Sequence, residues 1–66
     1  MNTILRLSAV KNKTGLSRAT IYLQMREGRF PKQISLGARA VGWVEQEIEA
    51  WVSTQIEQSR FPRGLK

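Results

Sequence analysis

The stretch that decides the fold is residues 16 to 28, which read LSRATIYLQMREG. Ser17 is a favourable helix N-cap, because its hydroxyl accepts from a free backbone N–H one turn further on. Leu16 and Ile21 have the spacing of a hydrophobic staple, and Gly28 supplies the C-terminal stop. Ile21 and Met25 share one face and predict the packing side of a helix. The residues expected to point outward are Arg18, Thr20, Gln24 and part of Tyr22.

A shorter helix is predicted just before this one. Ser8 suits its N-cap, the helix spans about Ala9 to Thr14 with Val10 facing the core, and Gly15 ends it in a left-handed conformation. Residues 14–17 then form a short Gly-containing turn, of the length that joins the two helices of a helix-turn-helix.

A β-hairpin is predicted after Pro31, which favours an extended conformation for the residue before it. Residues 32–36 and 40–44 are two short strand candidates, and residues 37–39 form the turn between them. We expect Ile34 and Leu36, with Val41 or Trp43, to form the buried side of the hairpin. Arg39 is expected at its tip.

The hydrophobic period becomes helical from Val44 to about Ser59, which predicts a third helix that closes the core. Trp51 lies on its apolar stripe and is expected to pack rather than bind a ligand. Residues 60–66 carry Pro, Gly and charge without periodicity and are expected to be loose. The whole chain, 1–66, is predicted to be a single domain.

Composition argues against catalysis. The 66 residues include no Cys and no His, so there is no thiol nucleophile, no zinc site of Cys or His type and no imidazole base. A chain of this length has room for one small core and no deep substrate cavity. Glu45, Glu47 and Glu49 alternate at a helix start, where they complement the dipole. We therefore expect no enzymatic activity, no cofactor, no metal and no small-molecule substrate.

The sequence also lacks membrane and export signals. No run approaches the roughly 18 apolar residues of a membrane span, and the first residues show no charged leader followed by an apolar core. A cytoplasmic protein is expected.

The net charge of +6 is distributed unevenly. Residues 1–42 hold eight basic residues against Glu27 alone, whereas residues 43–66 are slightly acidic. Clustered Lys and Arg gain free energy by displacing counterions from phosphates, so the basic part is a candidate surface for a polyanion. A solubilising surface without a nucleic-acid role is the alternative.

The order helix, turn, helix, hairpin, helix is that of a winged helix-turn-helix, in which the second helix enters the major groove of DNA. Three motifs, GLSRATIY at 15–22, GRFPK at 28–32 and AVGW at 40–43, together resemble the AlpA family of prophage-encoded transcriptional regulators. The resemblance spans about Leu5 to Ile56. It implies a MerR-like or excisionase-like winged helix, mainly α with a small β-hairpin, in a bacterial, nucleoid-associated regulator.

The candidate DNA-binding residues are Ser17, Arg18, Thr20, Tyr22 and Arg39. Ser17 either caps the helix only or also donates to a phosphate. Arg18 is expected to contact a phosphate or a guanine edge, Thr20 a thymine methyl or a phosphate, and Tyr22 a phosphate. The alternatives are a solvated charge for Arg18, a place in the first helical turn for Thr20 and a half-buried packing ring for Tyr22. Arg39 is positioned to reach the backbone or the minor groove.

Three functions remain open at this point. The leading hypothesis is a sequence-specific regulator that binds double-stranded DNA. The alternatives are an excision factor that assists an integrase and a protein-interaction module such as an anti-repressor. One recognition helix covers about half of an operator, which predicts a homodimer or tandem binding on DNA.

Overall fold

The helices and strands form in an order close to that predicted. The computed structural model describes residues 3–60. The elements are β1 (Ile4–Leu5), α1 (Leu7–Thr14), α2 (Arg18–Arg26), β2 (Ile34–Ser35), β3 (Val41–Val44) and α3 (Glu45–Arg60). Three helices and a small antiparallel sheet confirm the expected mainly α fold with a β element, in the arrangement of a winged helix-turn-helix.

Both ends of α2 are set by the residues that the sequence indicates. Ser17 Oγ accepts from the backbone N–H of Thr20 at 3.2 Å. At the other end, Gly28 has a φ of 79°, and the backbone N–H groups of Gly28 and Arg29 donate to the carbonyls of Met25 and Gln24. These two bonds form a Schellman motif, which satisfies carbonyls that the helix leaves free.

The prediction of Ser8 as the N-cap of α1 is wrong. The N-cap position is Arg6, in an extended conformation and without a side-chain hydrogen bond, so Ser8 lies inside the first turn. The reason is that β1 extends only to Leu5, and the chain turns into the helix directly after it. Gly15, with a φ of 74°, ends α1 as expected, and its N–H donates to the carbonyl of Lys11.

The sheet has the strand order β1-β3-β2 and is antiparallel throughout. The predicted hairpin is present but shorter: Ile34 lies opposite Gly42, and the N–H of Leu36 donates to the carbonyl of Ala40 across the turn. On the other side of β3, Leu5 lies opposite Trp43. The first strand thus makes the hairpin a three-stranded sheet.

The expected buried side of the hairpin is only partly right. Trp43 is fully buried, but Ile34 is 38% exposed and Leu36 is 42% exposed. Successive strand residues point to opposite faces of a sheet. Because Ile34 lies opposite Gly42, it shares the face of that glycine, whereas Trp43 occupies the core face.

The core joins all three helices to the sheet. Its buried members are Leu5, Val10, Ile21, Phe30, Trp43 and Ile48. Trp51 and Val52 of α3 are partly buried against this cluster, which confirms Trp51 as a packing residue, whereas Ile56 is 46% exposed. Of the tail expected to be loose, Arg60 is the last residue of α3, and positions 61–66 lie outside the described residues. Among residues 3–60, no helix is long and apolar enough to cross a membrane.

Gly42 lies where the sheet leaves no room for a side chain. A Cβ at this position would lie 2.5 Å from Ile4 Cγ2 and 3.0 Å from the carbonyl oxygen of Leu5. We expect Gly42→Ala to lower the free energy of unfolding by about 1–3 kcal/mol, because packed surroundings do not yield freely. Urea unfolding followed by circular dichroism measures the change. Gln46→Ala, at an exposed position of α3, is the control and should change stability by less than about 0.5 kcal/mol; equal stability of the two variants would contradict the packing argument.

Candidate nucleic-acid interface

Helix α2 presents its outer face directly opposite its packing face. Ile21 is fully buried, and a helix has 3.6 residues per turn, so positions 19 and 23 lie about 20° to either side of the direction opposite Ile21. Ala19, Leu23 and Arg26 are exposed there, whereas Thr20 and Gln24 are half-buried. The expectation that Thr20 and Gln24 point outward is therefore only partly met.

The hydroxyls at the start of α2 are engaged with each other. Ser17 Oγ donates to Thr20 Oγ1 at 3.0 Å while it accepts from the Thr20 N–H. Ser17 is exposed at the helix N-terminus, where free backbone N–H groups favour an anion. For the Ser17 hydroxyl to donate to a phosphate, it would have to give up its hydrogen bond to Thr20 Oγ1.

Arg18 and Tyr22 form one unit on the flank of α2. The Arg18 guanidinium lies 5.2 Å from the centroid of the Tyr22 ring, a cation–π distance that leaves its N–H groups free to donate. Tyr22 Oη donates to Gln33 Oε1 at 3.3 Å, which links α2 to the segment before β2. Among residues 3–60, Arg18 forms no ion pair.

Arg39 lies in the turn between β2 and β3. It is exposed, and within the described part of the chain it has no acidic partner. Ser35 Oγ donates to the carbonyl of Gly37 at 3.2 Å, a bond that helps to hold the turn. The hairpin therefore carries an exposed cation at its tip.

Two other basic residues are already paired with glutamates. Lys13 Nζ lies 3.3 Å from Glu49 Oε2 and 3.8 Å from Glu45 Oε2, which connects α1 to α3. Arg29 pairs with Glu27 at the end of α2. In residues 3–60, the basic side chains without such a pair, besides Arg18 and Arg39, are Arg6, Lys11, Arg26, Lys32 and Arg60.

Some of the acidic side chains of α3 form ion pairs with α1. Two of them, Glu45 and Glu49, face the Lys13 ammonium. Within residues 3–60, no group of three or more acidic side chains is placed to hold a metal ion.

Comparison with known proteins assigns the chain to a family. Residues 3–56 match the family described as prophage CP4-57 regulatory protein (AlpA). The chain belongs to the AlpA family. It is 48% identical over 56 residues to the DNA-binding transcriptional activator AlpA of Escherichia coli K12, an alignment that covers 76% of this chain and 80% of that protein.

A second relative comes from a phage. The chain is 46% identical over 52 residues to the uncharacterized protein ORF88 of Enterobacteria phage P4, and the alignment covers 79% of this chain. It spans only 59% of the length of the phage protein.

Sequence reasoning on this AlpA-family chain missed the centre of the α2 surface. It selected Ser17, Arg18, Thr20 and Tyr22 by residue type and by the resemblance to the family, yet Leu23 and Ala19 lie nearest the direction opposite the core. The sequence does contain a signal for them: Ile21 was predicted to face the core, and a rotation of about 100° per residue from Ile21 places Ala19 and Leu23 on the opposite side of the helix.

Two serines of this AlpA-family chain provide a matched test of the helix starts. We expect Ser17→Ala to lower the free energy of unfolding by about 1 kcal/mol, because it removes the acceptor for the Thr20 N–H. Ser8→Ala should leave stability unchanged or slightly raised, since Ser8 is exposed inside α1 and alanine is the better helix former. Thermal unfolding of both variants measures the difference, and a larger loss for Ser8→Ala would reverse the assignment of the caps.

Proposed function

We propose that this chain is a sequence-specific regulator of transcription that binds double-stranded DNA as a single domain. The observation that carries the proposal is its 48% identity to a protein named a DNA-binding transcriptional activator. The arrangement of charges supports it, because arginines that have no acidic partner within residues 3–60 lie on the exposed side of α2 and at the hairpin tip.

In the proposed complex, α2 enters the major groove. The groove is about 12 Å wide and admits one helix. Arg18 lies in the first turn of α2, the part of a recognition helix that contacts base edges, and its guanidinium donates to a phosphate or to a guanine.

The remaining residues of α2 contact the backbone in this proposal. The N-terminus of α2 offers its free N–H groups, with the Ser17 hydroxyl, to one phosphate. Tyr22 reaches a second phosphate by exchanging its bond to Gln33 for one to a phosphate oxygen. Thr20, beside Ser17, contacts either a thymine methyl group through its own methyl or a phosphate through its hydroxyl.

The hairpin formed by β2 and β3 acts as the wing. Arg39 at its tip contacts the adjacent backbone or the minor groove, where a narrow A·T-rich groove attracts arginine. Lys13 and Arg29 contribute less, because their charges are already partnered by glutamates.

The first test compares Arg18→Ala, Arg39→Ala and the wild type in binding to DNA from beside the gene. Binding is measured at two salt concentrations with random DNA as competitor. We expect both variants to bind more weakly and each to reduce the salt slope by about one unit, while only Arg18→Ala loses base discrimination.

Arg29→Ala is the matched control, because it removes one positive charge that Glu27 already partners. It should retain specific binding. If the wild type binds random DNA equally well, or if both test variants bind like the wild type, the assignment of α2 as a recognition helix fails. The protein-interaction module is then the favoured function. Specific occupancy of tandem sites at an attachment site, rather than of a promoter, would instead assign an excision factor.

We further propose that two copies bind one operator, as a homodimer or in tandem. One recognition helix covers about half of a typical operator, with half-sites one helical turn apart. Analytical ultracentrifugation of the chain with its DNA should therefore give a complex with two protein copies per duplex. A single copy at saturation, on a duplex long enough for two half-sites, would rule this out.

A further inference from the structure

Leu23 occupies the centre of the outer face of α2 without packing against the core. It is 45% exposed and is absent from the set of residues that pack on the core cluster. The other large apolar side chains with comparable exposure in residues 3–60 lie on other surfaces: Ile34 and Leu36 on the hairpin, and Ile56 on α3. Leu23 is therefore a large apolar group on a surface otherwise suited to a polyanion.

Ala19 extends this apolar surface along the helix. Residues four apart on a helix are neighbours on one face, and their separation along the axis is about 6 Å. This length corresponds to about two base-pair steps of 3.4 Å each. We call Ala19 and Leu23 the apolar strip. Arg18 and Arg26 lie on one flank of it, where both are exposed and, among the described residues, unpaired.

The chemistry of the apolar strip selects one feature of the major groove. Neither side chain can donate or accept a hydrogen bond, so facing them with the polar edges of G·C pairs would leave buried donors and acceptors unpaired. The apolar group that the major groove offers is the C5-methyl of thymine. The cations on this one flank match phosphates along one edge of the groove beside such a contact.

We propose that the apolar strip reads thymine methyl groups at one or two neighbouring positions of the DNA site, with Leu23 as the principal specificity-determining residue. The proposal rests on the proposed function, since it requires α2 in the major groove. It adds that part of the base discrimination comes from apolar contact and is independent of the hydrogen bonds of Arg18.

The test removes single methyl groups from the DNA. A duplex enriched from a random pool by the wild-type chain is resynthesised with deoxyuridine in place of each thymine in turn, which deletes only the C5-methyl. We expect one or two neighbouring substitutions to weaken binding of the wild type about threefold to fivefold, the effect of losing one buried methyl group. Leu23→Ala should bind the unmodified duplex more weakly and should no longer respond to deoxyuridine at those positions.

Leu36→Ala is the matched control, since Leu36 is a leucine of nearly equal exposure, 42%, outside α2. It should show the full deoxyuridine effect of the wild type. Both leucines are exposed, and circular dichroism checks that both variants are folded.

Several results would overturn the proposal. If specific binding and its dependence on Arg18 persist but no deoxyuridine substitution matters, the apolar strip does not read methyl groups, and the proposed function stands. The apolar strip is likewise excluded as the reader of methyl groups if Leu23→Ala keeps the deoxyuridine effect. It is also excluded if Leu23→Ala binds DNA normally and loses a protein partner instead. If the wild type enriches no sequence at all, the proposed function fails together with the apolar strip.

Discussion

The buried indole of Trp43 is the contact on which the rest of the structure depends. It lies on β3, the central strand, opposite Leu5 of β1, and its ring meets that of Tyr22 on α2 edge to face at a centroid distance of 6.4 Å. Its Nε1 donates to the carbonyl of Pro31 at 3.2 Å, which satisfies a polar group that would otherwise be costly to bury. One side chain thus joins the sheet, the second helix and the segment between them.

A second indole contacts the same segment between α2 and β2. Trp51 Nε1 donates to the carbonyl of Arg29 at 2.8 Å, and its ring packs on Phe30 at a centroid distance of 4.8 Å. Together with the bond from Trp43 to Pro31, these contacts hold residues 29–31 by hydrogen bonds and aromatic packing. The relative placement of α2 and the hairpin is consequently set in the free chain, and little ordering is left for a binding event to impose.

The parts of the fold that sequence could predict are those with local causes. The cap at Ser17 and the left-handed glycines 15 and 28 depend on neighbours within a few residues, and all three were predicted correctly. The Ser8 cap failed because the start of α1 is set by β1, whose partner lies almost forty residues away in β3. The prediction that Ile34 is buried failed for a similar reason, because the face on which it lies is set by its pairing with Gly42 on another strand. For the candidate site, residue types pointed to α2, but the outward direction of its side chains follows from how α2 packs on the core.

The outer face of α2 is also separated from the side chains that stabilise the protein. Ala19, Leu23 and Arg26 belong neither to the core cluster nor to the residues packed against it, and exposed substitutions of this kind usually change stability by less than about 0.5 kcal/mol. A domain of this size has little stability to lose. Side chains on this face can therefore be exchanged one at a time without unfolding the chain, so its surface chemistry can change while the core that holds α2 in place stays the same.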